Sequence, residues 1–345
     1  MPPGLCSGGM FGITTKKLPG SRLEIKGAVP ADEFKSYRSK AVAELGAKIK
    51  LDGFRPGHVP EKVLVEKLGE GLILEEMAEL ALAKAYPEIL KSEKIDALDR
   101  PEIKITKMAM GDELTFTIET DVYPEVKLPD YKKIISDLTV VKAEPTTDED
   151  VNKVVDELLA SHADHLPKPV EGETLKLTDE LVSHFGEFTN AKELTDRIRQ
   201  NLTTDKEWKA RDKNRVEIIK KIAAAMEVEL PQAMIVGELD KMMAELKGSI
   251  ERSGFPFEDY LKQINKTEVD LRGAWEEQAK ERVKFGLFTN ALSEAEKLYP
   301  NEEKLAEAVA ELKKDYPEVD ETRLRAYAGS ALANDAVWEK LESIK

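Results

Sequence analysis

Residues 101–122 read Pro-Glu-Ile-Lys-Ile-Thr-Lys-Met-Ala-Met-Gly-Asp-Glu-Leu-Thr-Phe-Thr-Ile-Glu-Thr-Asp-Val. Apolar side chains alternate with polar ones on both sides of the Gly111-Asp112 pair, which predicts two strands joined by a turn. Residues 11–29 show a similar pattern around Pro19-Gly20, and helical patterns lie between the two strand pairs. This order predicts an α+β domain that ends near Tyr123. The helical patterns cover 31–45, 61–68 and 71–90.

A segment rich in turn-forming residues, 51–60, interrupts these helices with the sequence Leu-Asp-Gly-Phe-Arg-Pro-Gly-His-Val-Pro. Its glycines allow backbone angles that other residues avoid, and its prolines fix φ. Phe54 and Arg55 should therefore stand at the tip of a stiff, exposed loop, and arginine and aromatic residues are enriched in binding interfaces. The alternative is an ordinary loop whose aromatic ring packs back onto its own domain. The predicted binding loop consists of Gly53, Phe54, Arg55, Pro56, Gly57, His58, Val59 and Pro60.

The chain is acidic as a whole but basic around this loop. It has 67 acidic and 52 basic side chains, and the formal net charge of −15 argues against a general nucleic-acid-binding protein. Residues 16–67 instead carry 12 basic and 7 acidic side chains. Such an excess suits contact with RNA phosphates, although a solvated helix surface explains it equally well. The basic residues expected to surround the loop are Lys48, Lys50 and Lys62.

The rest of the chain is predicted to be helical apart from linkers. Residues 124–177 form a linker with one helix, from Thr147 to about Ser161, and only helices follow from 178 to 345. The methionine and aromatic side chains of this part either fill the space between helices or bind other polypeptides, a role that suits flexible methionine. Phe255 and Phe257, in a turn, are the best candidates for exposure. The candidate polypeptide-binding residues are Met234, Met242, Met243, Phe255, Phe257 and Tyr260.

Four stretches resemble the trigger factor family of ribosome-associated bacterial chaperones. Gly-Phe-Arg-x-Gly-x-x-Pro at 53–60 is similar to the ribosome-binding signature of that family, and Tyr123-Pro-Glu-Val126 to the end of its first domain. The Leu230-Pro231 step and the Glu-Glu-Gln-Ala-Lys-x-Arg-Val run at 276–283 resemble its C-terminal domain. The likeness covers about 300 of the 345 residues. Family loops often carry lysines where Pro56 and His58 stand here, so this loop is stiffer and less positive.

The resemblance implies an elongated, mainly α protein. An α+β ribosome-binding domain, 11–123, would dock on a protein beside the ribosomal exit tunnel and on adjacent ribosomal RNA. An all-α chaperone domain with helical arms, 178–345, would shield nascent, unfolded polypeptides for folding or export without ATP. Most members also carry an FKBP-like prolyl isomerase domain, which we expect to be absent here because no aromatic residue lies between Tyr131 and Phe185 to form its pocket.

Two other functions remain open at this stage, namely a prolyl cis-trans isomerase and a holdase that does not bind ribosomes. Weak homodimerisation away from the ribosome is a further possibility. No enzyme is expected, since phosphate-binding and nucleophile-elbow motifs are missing and Cys6 has no nearby histidine. No catalytic residue, cofactor or membrane partner is therefore assigned.

Metal binding is not expected either, although His162 and His165 have a spacing that could place both on one helical face. Pro167 ends that helix at once, so a solvated helix end explains the histidines better. Residues 1–10 should be a disordered extension, and translation starts at Met1 or Met10. The absence of a secretory signal and the single cysteine predict a cytoplasmic protein.

Overall fold

A computed structural model describes residues 11–48, 59–163, 166 and 175–344, so the predicted extension 1–10 lies outside the described residues. The chain forms two compact units. The first contains the chain up to Lys127 together with Met226–Ala291, and the second contains Leu128–Ala225 together with Leu292–Lys345. Each unit is thus built from two separate stretches, whereas the domains predicted from the sequence are continuous. That sequence division stays a prediction.

The first unit contains an antiparallel sheet in the order β1-β2-β4-β3. β2 and β4 are central, and their alternating side chains Leu23, Ile25, Phe116 and Ile118 are buried as the sequence pattern predicts. The edge strand β3 differs, because every residue in it is exposed. The strands are β1 (Thr14–Leu18), β2 (Arg22–Val29), β3 (Glu102–Lys107) and β4 (Leu114–Asp121).

Four helices follow β2 and share a hydrophobic core with the sheet. The helix predicted over 31–45 is divided in two at Tyr37. Gly69 separates the next two helices with a φ of 84°, a conformation that glycine adopts without strain. In the long fourth helix Met77 and Ala81 are buried as predicted, but Leu72 is exposed. The helices are α1 (Ala31–Ser36), α2 (Arg38–Lys48), α3 (Glu61–Leu68) and α4 (Glu70–Glu93).

Gly27 interrupts the apolar side of β2 because no side chain fits there. A Cβ atom at this position would lie 2.5 Å from Ile13 Cδ1, 2.8 Å from Phe116 Cζ and 3.2 Å from the carbonyl oxygen of Phe11. The backbone of the first described residues runs against β2 at this point, where Ala28 N donates to Phe11 O at 2.9 Å. Glycine thus lets residues 11–13 cover the sheet.

Three further helices complete the first unit, and the sheet holds the beginning of the first of them. Asp121, at the end of β4, accepts a hydrogen bond from Ala233 N at 2.9 Å and so caps the helix from a distant part of the chain. Glu229 accepts from Gly20 N at 2.6 Å, and its carbonyl accepts from Ser21 Oγ at 2.7 Å. These helices are α8 (Gln232–Arg252), α9 (Phe257–Gln263) and α10 (Glu268–Glu296), the last of which continues into the second unit.

All the secondary-structure elements of the second unit that the structure describes are helices. Its linker carries one helix more than the sequence predicted, the short α5, which Asp130 caps through Lys133 N. α6 begins with a complete capping box between Thr147 and Asp150. Beside the linker helices, Asn214 on the long α7 exchanges two hydrogen bonds with the backbone of Val141. The helices are α5 (Tyr131–Ser136), α6 (Asp148–Ser161), α7 (Ala191–Ala225), α11 (Glu302–Asp315) and α12 (Glu321–Glu342), with a 3-10 turn at Val182–Phe185.

Candidate functional site

The predicted binding loop connects α2 to α3. Gly53, Phe54, Arg55, Pro56, Gly57 and His58 lie outside the described residues, so the presentation of Phe54 and Arg55 stays a prediction. Val59 and Pro60 are described. Val59 is buried, with 9% of its surface exposed, and Pro60 immediately precedes α3 with φ −61° and ψ 141°. The C-terminal end of the loop is therefore anchored in the domain, and its last proline ends where the helix begins.

The two helices that carry the loop touch close to the points where the loop leaves them. Gly46, near the end of α2, faces Leu64, and a Cβ atom on Gly46 would lie 3.5 Å from Leu64 Cδ1. Leu64 is completely buried. Gly46 is two residues before the end of α2, and Leu64 is in the first turn of α3. The described helices on either side of the loop are therefore in contact near its two ends.

Arg38, the first residue of α2, ties together the beginnings of α3 and α4. Its Nε donates to Glu61 Oε1 at 2.7 Å, and its Nη2 donates to Glu70 Oε2 at 3.1 Å. These two glutamates are the first residues of their helices, where negative charge is also stabilised by the helix dipole. The hydrogen bond from Arg38 lowers the pKa of Glu70, and Glu70 in turn raises the pKa of Arg38. Sequence reasoning missed these ion pairs, because the three residues belong to three different helices.

The basic surround of the loop is only partly available to a partner. Lys48 donates to Glu76 at 2.6 Å, and this hydrogen bond is the main reason that the pKa of Lys48 is raised. Lys62 is exposed in the first turn of α3 and has no acidic partner among the described residues. Lys50 lies outside the described residues. The positive charge counted from the sequence is therefore reduced by ion pairs within the domain.

The candidate polypeptide-binding residues divide into buried and accessible ones. Met242 and Met243 are buried between α8 and α10, whereas Met234 and Tyr260 are partly exposed. Phe255 is exposed as expected, with 43% of its surface accessible.

Phe257 is only 5% exposed, so the expectation of an exposed Phe257 is wrong. The reason is that Pro256 precedes a short helix, α9, which begins at Phe257. Phe257, Tyr260, Leu261 and Ile264 then form its apolar face, at the helical spacing i, i+3, i+4 and i+7, and pack with Met243 and Leu271. This spacing was visible in the sequence and would have corrected the prediction. A polypeptide-binding role for any of the six residues stays a prediction.

Several large exposed side chains were not singled out from the sequence. They include four aromatic residues of the second unit and two isoleucines of the edge strand β3 in the first. Single exposed apolar residues are ordinary, but several on one unit suit weak contact with unfolded chains. They are Trp208, Tyr299, Tyr316, Tyr327, Ile103 and Ile105.

Of the two histidines considered for a metal site, His162 contacts Phe185 and the end of α6. The ring of His162 lies 5.3 Å from that of Phe185 in an edge-to-face arrangement, and its Nδ1 is 3.0 Å from the carbonyl oxygen of Leu158. His165 lies outside the described residues. Within the described ranges, no three potential metal-binding side chains come together. None of the helices formed by the described residues is both long and apolar enough to span a bilayer.

Comparison with known proteins yields two family matches that follow one another along the chain. The family described as bacterial trigger factor protein matches residues 11–158, and the family described as its C-terminus matches residues 190–339. The first match includes the predicted binding loop together with α2, α3 and α4. The interval 159–189, between the two matches, contains the end of α6 and the 3-10 turn.

Two relatives match over most of their length. The trigger factor of Frankia casuarinae is 25% identical, over 83% of this chain and 75% of the relative. The trigger factor of Halothermothrix orenii is 23% identical, over 91% of this chain and 92% of the relative. A higher identity of 41% to the trigger factor of Rhodococcus opacus is confined to 35% of this chain and 26% of the relative.

A solved structure has a similar fold. It is a trigger factor chaperone, reported for promiscuous substrate recognition in folding and assembly activities. It aligns with 96% of this chain and 100% of its own, with a TM-score of 0.52 and 16% sequence identity. This likeness supports the architecture of an α+β portion combined with a helical portion.

Proposed function

Because the chain belongs to the trigger factor family of chaperones, we propose that it docks at the ribosomal exit tunnel through residues 53–60 and shields nascent polypeptides without ATP. The observation that carries the proposal is the Gly-Phe-Arg-x-Gly-x-x-Pro motif between two helices fixed by Arg38. A fixed base reduces the conformational entropy that the loop loses on binding. The cytoplasm, where ribosomes are found, is the corresponding location.

Within this proposal Arg55 and Phe54 have different tasks. Arg55 forms a charge-assisted hydrogen bond with a carboxylate or phosphate of the ribosome, and Phe54 buries apolar surface. Lys62 adds a positive charge that is exposed beside the loop. Lys48 contributes less because Glu76 already holds it. Docking therefore depends more on Phe54 and Arg55 than on a broad basic surface.

Ribosome co-sedimentation tests the docking site. We expect Phe54→Ala with Arg55→Ala to abolish co-sedimentation at physiological salt while the circular dichroism spectrum stays unchanged. The matched control replaces another arginine and phenylalanine. It combines Arg252→Ala at the end of α8 with Phe255→Ala in the following turn. This control should sediment like the parent protein. Equal sedimentation of the loop variant and the parent would refute the docking role.

We further propose that shielding requires no isomerase activity. An FKBP-like domain of about a hundred residues has the size of an ordinary domain, and the interval 159–189 between the two family matches is much shorter. Proline-limited refolding of a model protein measures the activity, since uncatalysed isomerisation takes tens of seconds. The slow phase should have the same rate with and without the chaperone. An accelerated slow phase would show that another part of the chain catalyses isomerisation.

The helical elements supply the client-binding surface in this proposal. Exposed apolar residues that are distributed over several helices bind weakly at many points, so clients dissociate without a nucleotide cycle. Phe255 in the first unit and Trp208 in the second are exposed examples. Suppression of aggregation of a chemically denatured protein measures this activity. A parent protein that fails to suppress aggregation would contradict the chaperone role.

A further inference from the structure

An apolar groove lies between the edge strand β3 and helix α4. Its volume is about 430 Å³, within the range of sites that hold small ligands or short peptide segments. Ile103 and Ile105 form its strand side and are 40% and 41% exposed. They stand opposite Ile118 and Phe116 of β4, whose side chains are buried in the core. The groove is therefore a part of the core-facing side of the sheet that the helices leave open. It is lined by Glu79, Leu82, Ala83, Tyr86, Pro87, Ile103 and Ile105.

The backbone of β3 offers hydrogen-bonding groups along this groove. Among the described residues, β3 is the last strand of the sheet and pairs with β4 on one side only. Alternate N–H and C=O groups of an edge strand point away from its neighbour and can pair with another extended chain. Edge lysines often prevent such pairing. Here Lys104 is bound to Glu119 at 3.4 Å and Lys107 to Asp112 at 3.1 Å, so their charges are already compensated.

The helix side of the groove contains a carbonyl group without its usual helical donor. Pro87 lies inside α4 and has no N–H, so the carbonyl group of Ala83, one turn earlier, lacks its helical donor. Both residues line the groove. An amide of a chain lying in the groove could donate to this carbonyl. The groove therefore combines apolar surface with hydrogen-bonding groups on both of its sides.

The two ends of the groove differ, because Glu79 places a negative charge at one of them. The hydroxyl group of Tyr86 donates a hydrogen bond to Thr120 Oγ1 at 3.4 Å. Tyr86 therefore lies at the end of the groove beside Ile103. Glu79 lies two helical turns earlier in α4 and so marks the end beside Ile105. It is exposed and has no ion-pair partner among the described residues. Its charge helps to raise the pKa of Lys48, but the two side chains form no ion pair. An exposed carboxylate at the end of an apolar groove favours a ligand with a basic residue at that end.

We propose that this groove binds an extended segment of a client polypeptide, which joins β3 as a fifth strand. The segment has apolar side chains at alternate positions and a lysine or arginine at the Glu79 end. Backbone hydrogen bonds give the affinity in this mode of recognition, so it tolerates many sequences. A second copy of β3 fits less well, because its lysines already have acidic partners and would leave Glu79 unpaired. The inference rests on the chaperone function proposed above and adds a second binding surface to it.

Fluorescence anisotropy tests strand addition with a fluorescein-labelled heptapeptide of alternating valine and lysine. We expect N-methylation of alternate backbone amides to weaken binding about tenfold, since it removes donors without changing side chains. This comparison uses the parent protein and does not depend on any variant. Ile103→Lys with Ile105→Lys should weaken binding of the unmodified peptide to a similar extent. Glu79→Lys should reverse the preference for the lysine peptide over its glutamate counterpart.

The matched control for the double variant is Val236→Lys with Val269→Lys, two exposed valines on α8 and α10, and it should bind the peptide normally. Equal affinity for the plain and N-methylated peptides would overturn the proposal. A second result would also overturn it. Sedimentation velocity would show that the parent protein is a dimer and that Ile105→Lys makes it a monomer, while peptide binding stays unchanged.

Suppression of citrate synthase aggregation separates this inference from the general function. A parent protein that suppresses aggregation and a groove variant that does so equally well would refute the groove alone. A parent protein without any effect would refute the chaperone function itself.

Discussion

Replacement of Phe257 by alanine should loosen the end of the helical pair α8 and α9. Phe257 is buried among Met243 and Leu271, and its ring stacks on Tyr260 at 6.3 Å. Phenylalanine-to-alanine changes in protein cores cost about 3–5 kcal/mol. Only three residues of this cluster are fully buried, so the site can partly collapse and the lower value of about 3 kcal/mol applies.

Phe255, two residues earlier, provides the comparison because it has the same side chain at a different depth. With 43% of its surface exposed, it gains roughly half of the 1.5–3 kcal/mol of full burial, so Phe255→Ala should cost about 1 kcal/mol. The two substitutions remove the same atoms from neighbouring positions. A difference between them therefore reports the packing of α9 against α8.

Amide hydrogen exchange in residues 250–264 measures the free energy of local opening. A loss of about 3 kcal/mol accelerates exchange roughly 150-fold, and a loss of about 1 kcal/mol accelerates it about fivefold. Amides of the sheet should exchange at the parent rate in both variants and serve as an internal control. Similar acceleration by both substitutions, or none by Phe257→Ala, would show that α9 is not packed as described.

Three further perturbations concern the sheet, the helices around the loop and the linker. Gly27→Ala should lower the free energy of unfolding by about 1–3 kcal/mol, because its Cβ would overlap Ile13 and Phe116. The urea midpoint should fall accordingly, and an unchanged midpoint would contradict the close approach. Arg38→Met should cost about 1 kcal/mol above pH 5. The pKa of Glu70 is lowered by Arg38, so the ion pair stabilises the fold above the ordinary value of 4.5 and is lost as the pH falls below it. The variant should therefore lose less stability on acidification, and a parallel pH profile would exclude this linkage. Asp150 has its pKa lowered from 3.8 to about 2, first by Lys206 and then by Thr147, so its contribution should disappear between these two values as the pH falls. Exchange of the first α6 amides should show that loss in the parent protein and not in Asp150→Asn.

The sequence contained enough information for the sheet and most helices. Alternation in 101–122 predicted the hairpin of β3 and β4, because side-chain direction alternates in any strand. It could not show that Ile103 and Ile105 stay exposed, since that depends on how far α4 extends over the last strand. The short α5 was missed because it is too short to show a helical pattern. Six residues carry too little periodicity, and its cap at Asp130 was the only local signal.

The candidate site was predictable only in part. The loop motif was recognisable because glycine and proline leave a strong local pattern. The frame beneath it joins residues from three helices, and no local pattern reveals that Arg38 reaches both Glu61 and Glu70. The charge count around the loop was misleading for the same reason, since it could not tell which lysines meet a carboxylate in the folded domain.

The cap that Asp121 supplies to α8 has a consequence for the order of events during synthesis. The acceptor and the donor, Ala233 N, are 112 positions apart in the chain. Domains fold from the N-terminus as the chain emerges. The sheet can therefore be complete while its partner helix is still inside the translating ribosome. Until residue 233 appears, the Asp121 carboxylate lacks the Ala233 donor and the turn at Gly20 and Ser21 lacks Glu229. Completion of the first unit is thus a late step in the synthesis of the protein. A chain stalled before that point carries an assembled sheet without its docked helices.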